Sequence, residues 1–119
     1  QKVDLYALDE PSAFLDVEDR IAVAKFLQQF TRSFGKSAMV IDHDLQLLDL
    51  ISDSIVIFQG TSGINGHASS PLPKVDAMNE FLKSLNITFR RDEKSKRPRV
   101  NKENSRLDKT QKASSNFYY

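Results

Sequence analysis

A chain of 119 residues with 39% apolar residues and a net charge of +1 is long enough for one small domain, and much of its C-terminal third is too polar to bury. It contains no cysteine, which excludes a disulfide frame and a thiolate metal site. No apolar run approaches the roughly 18 residues needed to span a membrane and no signal peptide is visible, so a soluble, cytoplasmic setting with no membrane partner is expected. The near-neutral total conceals a division along the chain. Residues 1–82 hold 6 Lys/Arg against 12 Asp/Glu, and residues 83–119 hold 11 against 4. An acidic front suits metal and nucleotide chemistry, whereas a basic rear suits phosphate, RNA or an acidic protein face.

The chain begins at Gln1 rather than a methionine and enters almost at once a buried-type strand, Leu5 to Leu8, with no preceding element to pair with it. That is expected of a piece of a longer protein, whose core here would hold at most three strands and two or three helices. Asp16 then has the chemistry of an N-cap, with Asp19 three residues on in the manner of a capping box. Ile21, Ala24, Leu27, Phe30 and Phe34 recur at helical spacing and Gly35 supplies the stop, which predicts one amphipathic helix of roughly 17 residues. Ala38 to Ile41 is a second apolar run, Leu45, Leu48 and Ile51 mark a short helix, and Ser54 to Phe58 gives a third strand. Strand, helix, strand, helix, strand is the alternation of a parallel sheet with crossover helices, whose working ends are the carboxyl ends of the strands.

Gly60 to Pro73 is rich in glycine, proline, serine and threonine and reads as a surface loop. Met78, Phe81, Leu82 and Leu85 suggest a further helix, followed by Ile87 to Phe89 as an edge strand. From Arg90 the pattern changes: Arg90, Arg91, Lys94, Lys96, Arg97, Arg99 and Lys102 fall within 13 positions. Such a segment is expected to gain order only against another surface. The expected division is residues 1–60 as an α/β segment, 61–75 as a loop, and 76–119 as a helix and basic tail.

The chemistry concentrates in V-D-L-Y-A-L-D-E-P-S-A-F-L-D, Val3 to Asp16. An acidic pair alone is common on solvated loops. Here an apolar strand precedes it, Pro11 and Ser12 follow, and Asp16 opens a helix. The strand can hold Asp9 at its carboxyl end, where Mg²⁺ would bind through water, while Glu10, pushed toward extended geometry by Pro11, can orient a water in line with a phosphate and take its proton. His43 ends the second strand between two acids, 33 residues after Glu10 and one strand-helix-strand step along the sheet. A lone histidine in such a turn is usually structural or solvated; from this place an imidazole can reach a γ-phosphate oxygen. His67, in the Gly/Ser loop, has no such context, and the Asn86-Ile87-Thr88 glycosylation pattern is discounted.

V-D-L-Y-A-L-D-E-P resembles the Walker B motif of ABC-type ATPases, S-A-F-L-D their D-loop, and V-I-D-H-D their switch-histidine segment, in matching order and spacing. The tail, with N-E-F-L-K-S-L-N-I-T-F-R-R-D, R-P-R-V-N-K and a later S-x-x-D-x-x-Q-K before terminal aromatics, resembles the ABC subfamily E ribosome-recycling factors, also called the RNase L inhibitor family. The resemblance runs from Asp4 to Tyr119. It implies an α/β fold, the C-terminal portion of a P-loop NTPase domain of ABC type followed by a basic hinge. By it, Asp9 is the magnesium acid, Glu10 and His43 are catalytic, and Ser12, Ala13, Phe14, Leu15 and Asp16 face the opposing nucleotide-binding half. ATP and Mg²⁺ are the implied cofactors, and the family's iron-sulfur clusters belong to an intact protein and not to this chain. The small ribosomal subunit, a release factor and the remainder of its own ATPase are the implied partners. Arg90, Arg91, Arg97, Arg99 and Lys102 would either bridge the two ATPase halves through carboxylates or touch ribosomal RNA phosphates. The sequence departs from the family where Ser115-Asn116-Phe117 replaces the usual Gly-Asn-Tyr, and where Lys96 precedes Arg97 in place of an aromatic.

No P-loop, Q-loop or signature motif is present, so the chain alone is expected to be inactive while the intact protein hydrolyses ATP. Two other readings stand beside this one: a non-catalytic ribosome- or RNA-binding module acting through the basic tail, and another soluble ABC ATPase of subfamily F or DNA-repair type.

Overall fold

The structure, a computed structural model, describes residues 3–119, which divide into two compact units, one ending at Ile51 and one spanning Ser52–Tyr119. The first contains strand β1 (Leu5–Asp9), helix α1 (Val17–Phe34), strand β2 (Ser37–Ile41) and helix α2 (Leu45–Ile51). β1 and β2 pair in parallel from Leu5 opposite Ser37 to Asp9 opposite Ile41. As the apolar spacing predicts, α1 runs 18 residues. Asp16 caps it, accepting from the Asp19 amide at 2.9 Å. Gly35 ends it at φ 58°, a left-handed conformation that glycine adopts without a Cβ clash.

α1 covers one face of this sheet. Tyr6 meets Phe30 edge-on with ring centroids 5.2 Å apart, and Phe30 stands between Phe26 and Phe34 on successive helical turns. On the other face Leu5, Ala7, Met39 and Ile41 are exposed. Parallel sheets are ordinarily covered on both faces. The fully buried apolar side chains of this unit are Ala24 and Leu47, so its core is thin.

In the second unit the expected third strand is divided. β3 (Ser54–Ile55) pairs antiparallel with β6 (Leu72–Pro73) rather than extending a parallel sheet. The ladder breaks after it because the backbone of Ile57 bonds to Ser69: its N–H donates to Ser69 Oγ at 3.0 Å, and the Ser69 N–H donates back to Ile57 O at 2.9 Å. The expected surface loop from Gly60 to Pro73 is largely exposed but ordered, holding most of a hairpin in which β4 (Phe58–Thr61) runs antiparallel to β5 (Asn65–Ala68), and ending in β6. Its turn closes through backbone groups and the Asn65 side chain, which hydrophobic patterning does not register. A Cβ on Gly60 would lie 2.2 Å from the Asn65 carbonyl oxygen, so only glycine fits there.

Helix α3 (Lys74–Ser84) buries Ala77, Met78 and Leu82. The basic run carries its own order: β7 (Phe89–Arg91) and β8 (Pro98–Val100) form an antiparallel hairpin. Helix α4 (Arg106–Ala113), unforeseen in the sequence, follows. What fixes this region is a buried polar network, since α4 exposes most of its side chains. The Thr88 hydroxyl donates to Asp108, and the Asn101 amide donates to Thr88 Oγ1 and Gln111 Oε1. The Gln111 amide donates to the carbonyls of Phe89 and Asn116 at 2.8 and 3.1 Å. Asn79 on α3 accepts the amides of Phe117 and Tyr118, which stitches the final aromatics down. Among the described residues, no buried side-chain nitrogen or oxygen lacks a partner. A satisfied network of this kind specifies a single packing.

Ser115 sits at φ 55°, where an L-residue is strained. Ser115→Gly is expected to stabilise the chain by up to about 1 kcal/mol, read as a raised urea midpoint; a lowered midpoint would contradict the strain. The Thr88 hydroxyl is the largest influence on Asp108, holding its carboxyl below the ordinary 3.8, with burial opposing and the Lys112 ammonium and Asn104 amide assisting. A depressed acid contributes stability that is present above 3.8 and is lost as pH falls through the folded value. Stability should therefore decline below pH 3.8, and less steeply in Asp108→Asn; equal slopes in a urea series would refute this.

Candidate functional site

Parallel pairing makes β1 and β2 leave the sheet on the same rim. The Glu10 amide adds one more rung, donating to Ile41 O at 2.7 Å, and Glu10 O then accepts from Ala13 N at 3.0 Å. The chain thus reverses at once. Glu10 is not extended, as the following proline suggested, but has φ 46°. The ladder fixes its amide and the turn fixes its carbonyl, while Pro11 disfavours the right-handed helical alternative; a left-handed residue is the remaining solution. Strain of this kind is held by its surroundings and concentrates at functional positions.

From the end of β2, His43 meets it. His43 Nε2 lies 2.9 Å from Glu10 Oε1, with side chains 90% and 49% exposed. The two groups therefore converge in an accessible place. Asp9 is the last residue of β1 and is exposed on the same rim. Among the described residues no three His, Cys, Asp or Glu side chains group to enclose a metal ion.

The segment after Glu10 is anchored at its start and free at its tip. Ser12 is buried, and its amide and hydroxyl both donate to the Asp42 carboxylate, at 3.1 and 2.7 Å. Ala13 is exposed and Phe14 fully so, with a left-handed φ of 62°. Leu15 O accepts from Arg20 Nε at 2.9 Å, and Asp16 caps α1. Arg20 also reaches Asp44 at 2.9 Å. Asp42, Asp44 and Arg20 were not singled out in the sequence. The available signal was the pair of acids flanking His43, since aspartate readily bonds the backbone two residues on. Asp42 does so, accepting the Asp44 amide at 2.8 Å. Burial pushes the Asp42 carboxyl up, but the amide of Asp44 and the hydroxyl and amide of Ser12 prevail and hold it below 3.8.

In the basic hairpin, Arg90 donates to Asn101 Oδ1 at 3.1 Å. Arg91 donates to Lys96 O and lies over the Tyr119 ring, 4.4 Å from its centre. Arg99 pairs with Asp92 at 3.2 Å. Arg97 and Lys102 are exposed, as are Lys94 and Lys96. All of these cations are exposed, and Arg90, Arg91 and Arg99 also brace the hairpin through local partners.

No family model matches the chain. It is similar to translation initiation factor RLI1 of Saccharomyces cerevisiae, 42% identical over 98% of this chain and 19% of that protein. It is also similar to an ABC transporter ATP-binding protein of Methanocaldococcus jannaschii, 47% identical over the same shares. Among solved structures, the archaeal ribosome recycling factor aABCE1 in complex with the ribosomal stalk protein aP1 superimposes with a TM-score of 0.92, at 45% identity over 98% of this chain and 22% of that one. The fold is therefore that of an ABC-type P-loop ATPase, of which these residues supply a portion. Within that class, the chain belongs to ABC subfamily E, the RNase L inhibitor family. It spans about a fifth of the length of the curated relatives it matches.

Gly35-Lys36-Ser37 echoes the end of a phosphate-binding loop, but Phe30 stands where that motif begins with glycine, and Gly35 closes a helix rather than opening one. Among the described residues this segment therefore supplies no amide cradle for a triphosphate. Calorimetry of the chain by itself should detect no ATP binding at micromolar concentrations; a micromolar dissociation constant would contradict the assignment.

Proposed function

We propose that this chain is the C-terminal part of the second nucleotide-binding domain, plus hinge, of an ATPase that splits ribosomes into subunits after termination. The observation that carries the reading is the 2.9 Å approach of His43 Nε2 to Glu10 Oε1 at the carboxyl end of a parallel strand pair. A carboxylate there can orient water in line with a γ-phosphate and accept its proton, while the imidazole can donate to a γ-phosphate oxygen. Asp9 would hold Mg²⁺ through water; the ion, when bound, neutralises charge on the phosphate oxygens. The exposed tip at Ala13 and Phe14 would face the opposing nucleotide-binding half. The bare apolar face of Leu5, Ala7, Met39 and Ile41 supports seating against the remainder of the same ATPase.

Residues 1–60 would then complete the nucleotide-binding domain, with 61–75 connecting it to the hinge of residues 76–119. The relatives named as translation factors and ribosome recycling factors support a cytoplasmic protein partnered by the small ribosomal subunit and a release factor. The solvent-facing Lys94, Lys96, Arg97 and Lys102 give the hinge a surface for RNA phosphates. In the full-length protein, Glu10→Gln should retain ATP binding and lower turnover by about 10²- to 10⁴-fold. Equal turnover in the two forms, measured by phosphate release, would refute the role given to Glu10.

A further inference from the structure

Glu10 and His43 are too exposed for packing to hold them, so their 2.9 Å approach must be set by the loops that carry them. Those loops meet through one carboxylate. Asp42 Oδ1 accepts the Ser12 hydroxyl at 2.7 Å and the Asp44 amide at 2.8 Å, while Oδ2 accepts the Ser12 amide at 3.1 Å. The bond to Asp44 closes a turn around His43 and so fixes the backbone from which the imidazole projects. The bonds to Ser12 fix the loop two residues after Glu10. Ser12 is 6% exposed, so both of its donors are withdrawn from water and depend on this acceptor.

From this arrangement we infer that Asp42 is a positioning residue for the hydrolytic pair, coupling the Ser12–Asp16 loop to His43 so that displacement of either loop moves Glu10 and His43 relative to each other. A clamp from α1 runs parallel to it: Arg20 holds Leu15 O with Nε and Asp44 with Nη1, each at 2.9 Å. Arg20 is more than one-third exposed, which discounts its charge pair, whereas the Ser12–Asp42 contact is part-buried with Ser12 itself withdrawn from water. A carboxylate suits this place because it has acceptor capacity for all three donors, whereas an amide would turn N–H groups toward one of them. A partner contact that shifts the exposed loop tip would then reach the water-orienting group through Ser12 and Asp42, which gives the site a route of regulation by the surface facing Phe14.

The inference rests on the hydrolysis reading above, and one set of variants of the full-length protein separates the two. Steady-state ATP turnover is measured for Asp42→Asn, Ser12→Ala, the double variant and Glu10→Gln, with thermal midpoints recorded alongside. Asp42→Asn should lower kcat roughly 10- to 100-fold, the scale of a misplaced reacting group, with KM within about twofold. Ser12→Ala removes the hydroxyl bond from the other end and keeps the amide bond, so it should lower kcat in the same direction by a smaller factor, and it carries the test should Asp42→Asn unfold. The double variant should fall no more than about twofold below Asp42→Asn, because both changes break one connection. Unchanged kcat in both single variants, or multiplicative losses in the double, while Glu10→Gln is inactive, would overturn the coupling and leave the hydrolysis reading standing. Full turnover by Glu10→Gln would overturn both.

Discussion

The parallel pairing of β1 with β2 is the constraint on which the site depends. Two strands running the same way deliver their last residues to the same rim, and the register, with Asp9 opposite Ile41, sets Glu10 one residue and His43 two residues beyond it. An antiparallel pairing of the same sequences would send Glu10 and His43 to opposite ends. The long helix α1 is the connection such a pair requires, and its capped start and glycine stop define how the chain returns.

The two units reach order by different physics. The first has few buried apolar side chains and an uncovered sheet face, yet its rim is tightly bonded by Asp42, Asp44 and Arg20. The second is held by α3 and by the linked side chains of Thr88, Asn101, Asp108 and Gln111, which bring a highly charged sequence to a fixed packing. Arg90, Arg91 and Arg99 have local partners, and the lysines at the hairpin tip are left to face outward.

Helix α1 was legible because caps and apolar period agreed, and β1 and β2 because short apolar runs ended in acids. The convergence of Glu10 and His43 was legible from a motif that fixes both strand and spacing. The backbone at Glu10 departs from the extended form expected before proline, since that rule speaks to local sterics and the rung to Ile41 lies 31 positions away. The β4–β5 hairpin was hidden by its glycines and polar residues, whose pairing is carried by main-chain bonds that leave no apolar alternation. Helix α4 was hidden for a related reason: it turns Asp108 and Gln111 inward, so its core-facing stripe is polar. Asp42 is not legible in the sequence because its contribution lies in bonds to Ser12, which only the folded chain brings near.

The most direct test of the central claim is a structure of the full-length protein with Mg²⁺ and a non-hydrolysable ATP analogue. The account predicts that the terminal phosphate lies within hydrogen-bond reach of His43 Nε2, about 3 Å, with a water held between it and Glu10. A terminal phosphate bound elsewhere, with Glu10 and His43 facing open solvent on separate surfaces, would contradict it.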